Sequence, residues 1–210
     1  MDCSTDGGRQ TAYRHALSNY TFDGLRSPVG GRLDEWESRW APYDEPTYQR
    51  VLSYVGLDDV VLEIGAGDLR LARRLAQRAQ QVYAIEMQPG LLSQQADVPH
   101  NLRVICADAR YLRWPQKITL GVLLMRHCTH VGVYAARLRA LGCPRLITNA
   151  RWRLDVELMD LGPRLPWSDV DFGWYACLCG QTGFVPGSLD QLTTERLDQI
   201  HETENCPACS

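Results

Sequence analysis

The chain has 210 residues, of which 45% are hydrophobic and 22% charged, and its formal net charge is −3. This composition is typical of a globular protein with a sizeable core, and it gives no overall electrostatic attraction to nucleic acid. No apolar run approaches the length of a membrane span, and the polar first ten residues lack the layout of a signal peptide, so we expect a cytoplasmic protein with no membrane partner.

Residues 1–46 are predicted to form an N-terminal helical or extended segment. Turn-forming residues are frequent in the first thirty positions, and the stretch RLDEWESRW then places Trp36 and Trp40 at helical spacing. These tryptophans are interpreted as packing residues or, alternatively, as platforms for stacked bases. Pro46 and Gly56 then bound a further predicted helix.

The stretch from Val60 to Glu86 predicts a strand, a glycine turn, a helix and a second strand. Its first residues, VVLEI, fit a buried parallel strand. Gly65 and Gly67 let the backbone turn sharply and approach a ligand without a Cβ in the way. Glu86 follows Gly67 by nineteen residues, close to the separation at which nucleotide-binding βαβ units place a carboxylate on the ribose hydroxyls.

Further strands are predicted from apolar runs that alternate with helical patterns. The order of elements predicts an α/β fold over residues 47–170, a Rossmann-like doubly wound and mostly parallel sheet. Asp108 follows the third strand, where it is either a ligand-binding acid or a helix cap. The predicted later elements are strands at Leu102–Cys106, Ile118–Met125 and Arg145–Thr148, a helix at Val133–Leu141, and one more strand at Asp155–Met159.

The sequence LEIGAGDLRLARRLA, followed by VYAIE, resembles motif I of the class I S-adenosylmethionine-dependent methyltransferases. It is most similar to the rRNA adenine dimethyltransferase branch of that family. The resemblance implies S-adenosylmethionine as cofactor, with its methionine end at the glycine turn, its ribose on Glu86 and its adenine on Asp108. A Rossmann-like unit whose turn holds no ligand is the alternative. The implied cofactor-binding residues are Tyr43, Glu63, Gly65, Ala66, Gly67, Glu86, Met87, Asp108 and Ala109.

The segment RHCTH, residues 126–130, departs from the resembled family. Amino-nitrogen methyltransferases carry an Asn/Asp-Pro-Pro-aromatic or Asn-Leu-Pro-Tyr loop after the fourth strand, so the departure argues against adenine N6 dimethylation. His127 or His130 can act as a general base, because imidazole titrates near neutral pH. Alternatively, both histidines and Cys128 only cap and pack the end of the strand.

Two close cysteine pairs lie within residues 171–210. Four thiolates that converge on one ion favour a structural Zn²⁺ in a zinc-ribbon-like tail, although the C-x-C spacing of the first pair departs from the commoner C-x-x-C. Disulfides and an iron–sulfur cluster are the alternatives, and recognition of the substrate by the ribbon is an added hypothesis. The predicted metal ligands are Cys177, Cys179, Cys206 and Cys209.

The predicted function is methyl transfer from S-adenosylmethionine, with RNA as the preferred acceptor. Motif I, the ribbon and a group of arginines favour RNA. A methyltransferase for a protein or a small molecule, and a non-catalytic adaptor with a Rossmann-like platform and a zinc tail, are the alternatives. The arginines are Arg137, Arg139, Arg145, Arg151 and Arg153.

Overall fold

A computed structural model describes residues 43–92, 97–151 and 155–209. Most of the predicted segment 1–46, with Trp36 and Trp40, lies outside these described residues, as does Arg153. In the described part of the chain, no helix is long and apolar enough to cross a membrane.

The first described helix, α1 (Glu45–Leu52), begins where the sequence provides a cap. The Asp44 carboxylate accepts a hydrogen bond of 3.1 Å from the backbone N–H of Thr47, and Pro46 stands in the first turn, where its missing N–H is not needed. The buried side chains of the helix, from Tyr48, Val51 and Leu52, pack against the main sheet.

The main sheet has six strands in the order β3-β2-β1-β4-β5-β6. The first five are parallel, and β6 is antiparallel to β5. The order reverses between β1 and β4, which is where open α/β sheets bind ligands beyond the carboxyl ends of their strands. The strands are β1 (Val60–Ile64), β2 (Gln81–Glu86), β3 (Leu102–Cys106), β4 (Leu120–Leu123), β5 (Arg145–Thr148) and β6 (Glu157–Asp160).

Apolar side chains cover both faces of this sheet. One buried cluster joins α1 and α2 (Arg70–Ala76) to one face, and a second joins α4 (Val131–Ala140) to the other. A short helix, α3 (Pro89–Leu92), follows β2. The predicted Rossmann-like, doubly wound and mostly parallel sheet is therefore confirmed.

A second, four-stranded sheet follows in the order β7-β10-β8-β9. Both β7 and β8 run parallel to β10, while β9 is antiparallel to β8. We call residues 165–209 the cysteine element. The domain boundaries at residues 46 and 170 stay a prediction. The strands are β7 (Leu165–Pro166), β8 (Gly173–Cys177), β9 (Thr182–Val185) and β10 (Ile200–Glu204), and a helix, α5 (Thr194–Asp198), precedes β10.

Ion pairs of arginine side chains join the two sheets. The side chain of Arg151, which is 0% exposed, lies 2.8 Å from Glu157 of β6 and 2.8 Å from Glu202 of β10. Arg139 of α4 pairs with Glu204 of β10 at 2.6 Å. The cysteine element is therefore attached to the main sheet on the side of α4 and β6.

Candidate cofactor site and cysteine cluster

The turn between β1 and α2 has a backbone that favours glycine. Gly65 and Gly67 have φ angles of 75° and 56°, in the left-handed region where a Cβ causes strain. The N–H groups of Gly65 and Ala66 donate to the carbonyl of Ile85 at 2.9 and 3.0 Å, which ties the turn to the end of β2. The turn is therefore held at the carboxyl edge of the two central strands.

Glu86, the last residue of β2, contacts this turn directly. Its carboxylate accepts hydrogen bonds from the N–H of Gly67 at 2.9 Å and from the N–H of Gln88 at 2.8 Å. Burial raises the pKa of Glu86, and these hydrogen bonds offset only part of that effect. A carboxylate has about four acceptor positions, so room remains for hydroxyl donors of a ligand.

Glu63 lies in β1 beneath the same turn and is fully buried. Burial, together with the negative charges of Glu86 and Asp68, raises the pKa of Glu63 to about 8. Its Oε2 has no hydrogen-bond partner among the residues that the structure describes. A buried polar atom without a partner is costly, so this carboxyl group fits a site where a ligand supplies a donor or a positive charge.

Asp108 stands two residues beyond β3, at the same edge of the sheet. Glu86 is in register with Cys106, and the N–H of Ala107 donates to the carbonyl of Glu86 at 3.0 Å. The Asp108 carboxylate pairs with Arg110 at 2.6 Å. Burial opposes ionisation, but the hydrogen bonds and the charge of Arg110 hold the pKa of Asp108 below its usual range.

The remaining predicted cofactor residues have different surroundings. Ala66 is buried in the turn, and Met87 is 55% exposed just after Glu86. Ala109 is buried, and its carbonyl accepts from the Trp114 indole N–H at 2.9 Å. The Tyr43 hydroxyl donates to the Leu124 carbonyl at 3.1 Å, at the end of β4.

We call residues 124–130 the acceptor loop. It begins against the glycine turn, because a Cβ built on Gly65 would lie 3.0 Å from Sδ of Met125. This contact was not predicted, since Met125 ends the apolar run ITLGVLLM and resembles a strand residue. The Arg126 guanidinium carbon then lies 4.9 Å from the ring centroid of Tyr43, which places Tyr43 beside the loop.

The two predicted catalytic histidines have different environments in the acceptor loop. His127 is exposed, whereas His130 is half-buried at the residue before α4. The charge of His130 is a minor cause of the lowered pKa of Asp108, which indicates that the ring lies near this carboxylate. Burial raises the pKa of Cys128, which keeps it a neutral thiol and disfavours it as a nucleophile. The catalytic roles of His127 and His130 stay predictions.

The structure brings the four predicted metal ligands together. Sγ distances are 3.5 Å for Cys177–Cys209, 3.6 Å for Cys179–Cys206 and 3.7 Å for Cys206–Cys209, and all four sulfurs lie within 4.8 Å of one another. Sulfurs on a tetrahedral Zn²⁺ at about 2.3 Å lie about 3.8 Å apart, so the cluster fits this ion.

The backbone around Cys177 also favours a thiolate. Burial would raise the pKa of this thiol, but N–H groups of Cys179 and Cys206, with the thiols of Cys206 and Cys209, lower it to about 7. The four cysteines are free of disulfide bonds. The cluster lies at the ends of two strands, with Cys179 in the β8–β9 turn and the second pair just after β10.

Residues 44–136 match the ribosomal RNA adenine dimethylase family. The resemblance that motif I predicts is therefore confirmed over this segment. Relatives named probable ribosomal RNA small subunit methyltransferase A occur in Methanosarcina mazei, 43% identical over 61 residues, and in Methanosarcina barkeri, 42% identical over 65 residues. These matches cover 28% and 30% of this chain but only 22% and 23% of the relatives.

Solved structures give matches of limited extent. The 23S rRNA methyltransferase ErmE is 26% identical with a TM-score of 0.44, covering 50% of this chain and 46% of its own. A dimethyladenosine transferase from Plasmodium falciparum is 19% identical with a TM-score of 0.41, covering 50% of this chain and 41% of its own. The family match ends before the cysteine element begins.

The arginines that favoured RNA in the sequence make contacts inside the protein. Arg137 donates to the backbone carbonyls of residues 109, 110 and 112. Arg145 pairs with Asp59 at 2.7 Å. Arg139 and Arg151 take part in the ion pairs that join the two sheets. These four arginines therefore stabilise the fold, and support for an RNA acceptor comes from the family match instead.

Proposed function

We propose that this chain is an S-adenosylmethionine-dependent methyltransferase that acts on RNA. The contact that carries the proposal is the hydrogen bond from the N–H of Gly67 to the Glu86 carboxylate, because it joins the glycine turn and the first predicted acid at one edge of the sheet. The match of residues 44–136 to the rRNA adenine dimethylase family supports RNA as the acceptor class.

The residues present fit the cofactor in charge and in shape. The turn from Gly65 to Gly67 would hold the methionine end, Glu86 the ribose hydroxyls and Asp108 the amine of adenine. The unpartnered Oε2 of Glu63, beneath the turn, would interact with the methionine ammonium, directly or through water. Ionisation of Glu63 would then be favoured by a positive charge that the unliganded protein lacks.

The reaction needs positioning more than acid–base power. When bound, the cofactor would supply a methyl group on a positively charged sulfur. A lone pair of the acceptor would form the new bond in line as the S–CH3 bond breaks, and the sulfur would leave as a neutral thioether. Holding the two at attack distance provides most of the acceleration. If the acceptor atom carries a hydrogen, the proton must leave, and His127 or His130 of the acceptor loop would accept it.

The surface beside this edge suits a nucleic-acid strand. Tyr111 is 53% exposed just beyond Asp108, and Arg113, Arg126 and His127 are also exposed. Arginine binds phosphate through charge and hydrogen bonds, and an exposed tyrosine ring can stack on a base. We therefore place the RNA across the edge formed by the β3–β4 connection and the acceptor loop.

We also propose that the cysteine cluster holds one structural Zn²⁺. The near-tetrahedral sulfur spacing and the absence of disulfides among these four cysteines support the metal. Elemental analysis of purified protein should find one zinc per chain, and Cys179→Ser should lose it. Cys143→Ala, at a buried cysteine outside the cluster, is the matched control and should keep it. Iron in place of zinc, or an intact disulfide by mass spectrometry, would contradict the assignment.

Transfer of a tritiated methyl group from S-adenosylmethionine to ribosomal RNA tests the catalytic proposal. Label should enter the RNA and be released by ribonuclease but not by protease. Glu86→Gln should reduce labelling about thirtyfold when S-adenosylmethionine is below its dissociation constant, because a glutamine amide cannot accept from both Gly67 and Gln88. Glu45→Gln, at an exposed acid on α1, should label as the wild type does. Label that follows protein or small molecules would overturn the RNA acceptor.

A further inference from the structure

We infer that the turn carrying Cys179 positions the acceptor loop, so that a metal bound in the cysteine cluster orders the region where the acceptor would be held. This inference rests on the zinc site and the acceptor edge proposed above. It assigns the cysteine element a positioning role in the reaction, beyond holding its own fold together.

The first observation is a backbone-to-backbone contact between the two parts. A Cβ built on Gly132, in the first turn of α4, would lie 2.7 Å from Cα and 2.8 Å from the carbonyl oxygen of Cys179. In the opposite direction, a Cβ on Gly180 would overlap Cγ1 of Val131, and Gly180 has a φ of 98°. The backbone of each segment thus occupies the space that a side chain at the other segment's glycine would need. A larger residue at Gly132 or Gly180 would force one of the two segments to move.

The second observation is that the acceptor loop is held at both ends. Its beginning lies on the cofactor turn, where Met125 covers Gly65. Its end leads directly into Val131 and Gly132. These two residues contact residues 177–181, the turn that carries Cys179, which we call the cysteine turn. Only residues 126–130, which include both candidate histidines, lie between these two contacts. A shift of the cysteine turn therefore changes the geometry of the loop relative to the cofactor.

Further contacts make the connection rigid. Leu178, Cys128 and Val131 share one apolar cluster beneath the loop. The buried Arg151, held by Glu157 and Glu202, also lies 3.5 Å from the carbonyl of Cys177. Packed side chains of this kind transmit displacement because a close-packed interior has little free volume.

The metal would add to the backbone contacts that fix the turn. These include hydrogen bonds from Cys177 N–H to Gln181 O at 2.7 Å, from Gly180 N–H to Cys177 O at 2.9 Å and from Leu178 N–H to Thr203 O at 2.9 Å. A bound ion would link the four sulfurs directly, and this link is lost when the ion is removed, so the turn would then be free to open. Because coupling between two sites is reciprocal, a change at Gly132 must also weaken the binding of zinc.

Hydrogen exchange measured by mass spectrometry tests this directly on the full chain. Removal of zinc with a strong chelator should accelerate exchange in residues 124–134 at least about tenfold, while β1 and β2 change less than about twofold. Zinc removal that leaves residues 124–134 unchanged, or that accelerates both regions equally, overturns the positioning role. A chain that binds no zinc overturns the metal assignment together with this inference.

A substitution at the contact provides an independent measurement. Gly132→Ala should weaken zinc binding about tenfold in competition with a chromophoric chelator, within the usual range of coupling energies. Gly56→Ala is the matched control, because its Cβ would meet only Asp59 Oδ2 at an ordinary 3.5 Å, and it should bind zinc as the wild type does. Both variants should bind S-adenosylhomocysteine within about twofold of the wild type. A folded Gly132→Ala protein with unchanged zinc affinity contradicts the coupling.

Discussion

The main-sheet part (residues 43–160) and the cysteine element (residues 165–209) are stabilised by different interactions. In the main sheet, β4 is buried throughout and β1 almost throughout, between two apolar clusters. In the cysteine element, β7 is exposed and β9 only half-buried. Hydrophobic burial therefore supports the candidate cofactor site, while ion pairs and, in our proposal, a metal on the four thiols support the part that contacts the acceptor loop.

The two parts also differ in charge. Residues 43–160 contain fifteen arginines and lysines against twelve acids, whereas residues 165–209 contain one arginine against seven acids. Phosphates are attracted to the first and repelled by the second. This difference in charge disfavours RNA recognition by the cysteine element. It is consistent with the positioning role that we infer for this element.

Loss of the proposed metal should give the largest difference between the two parts, in their resistance to protease. A structural zinc supplies about 10–16 kcal/mol of apparent binding free energy, more than a short element can replace. We therefore expect Cys177→Ser to leave residues 165–209 open to protease while the main sheet stays resistant. Cys143→Ala should remain resistant throughout. A cysteine element that resists protease without metal would show that its own packing suffices.

The Arg151 contacts should give the next largest effect. Arg151→Ala removes the partner that Glu157 and Glu202 share, but these carboxylates are 21% and 44% exposed and Glu202 keeps Arg164, so we expect the unfolding free energy to fall by about 2 kcal/mol from lost hydrogen bonds to charged groups. Arg74→Ala removes an exposed pair with Glu45 and should change the urea midpoint little. Equal effects in the two variants would contradict the importance of this buried contact.

The dependence of stability on pH should report the buried acid of the main sheet. The folded pKa of Glu63, about 8, lies above its ordinary 4.5, so the folded state holds a proton that the unfolded state releases. The stability that protonated Glu63 contributes is therefore lost as pH rises from 4.5 to about 8. Glu63→Gln cannot titrate and should gain stability relative to the wild type as pH increases. Urea midpoints that run parallel at every pH would show that Glu63 does not titrate in this way.

The salt dependence of RNA binding should give the smallest effect. On a single strand, each phosphate contact contributes about 0.7 to the magnitude of the slope of log K against log salt. If the two exposed arginines contact phosphates, the double variant Arg113→Ala/Arg126→Ala should therefore reduce this magnitude by about 1.4. Asp190→Asn in the cysteine element should leave the slope unchanged. An unchanged slope in the arginine variant would move the RNA away from this edge.

The sequence predicted local features well. β1 and β5 have the predicted bounds because each is a short apolar run between turn residues. β4 is shorter than the predicted Ile118–Met125, because the chain leaves the sheet after Leu123 so that Met125 can cover the glycine turn. Periodicity cannot signal that departure, since the side chains remain apolar.

Contacts between residues that lie far apart in the sequence could not be predicted from the sequence. The approach of Gly132 to Cys179 joins positions forty-seven residues apart, and nothing near either glycine signals it. The burial of Arg151 likewise depends on Glu202 of β10. The small sheet was missed because its strands are partly polar and its parallel pairs are nonlocal. The four metal ligands were predicted because their spacing is visible along the chain.

Calorimetric titration with S-adenosylhomocysteine tests the central claim most directly. We predict one site per chain with a dissociation constant in about the micromolar range. Glu86→Gln should weaken binding about thirtyfold, as expected for lost hydrogen bonds to a charged group, while Glu45→Gln should bind as the wild type does. A folded, metal-bearing wild-type protein that gives no heat of binding would contradict the assignment of the glycine turn, Glu86 and Asp108 to this cofactor.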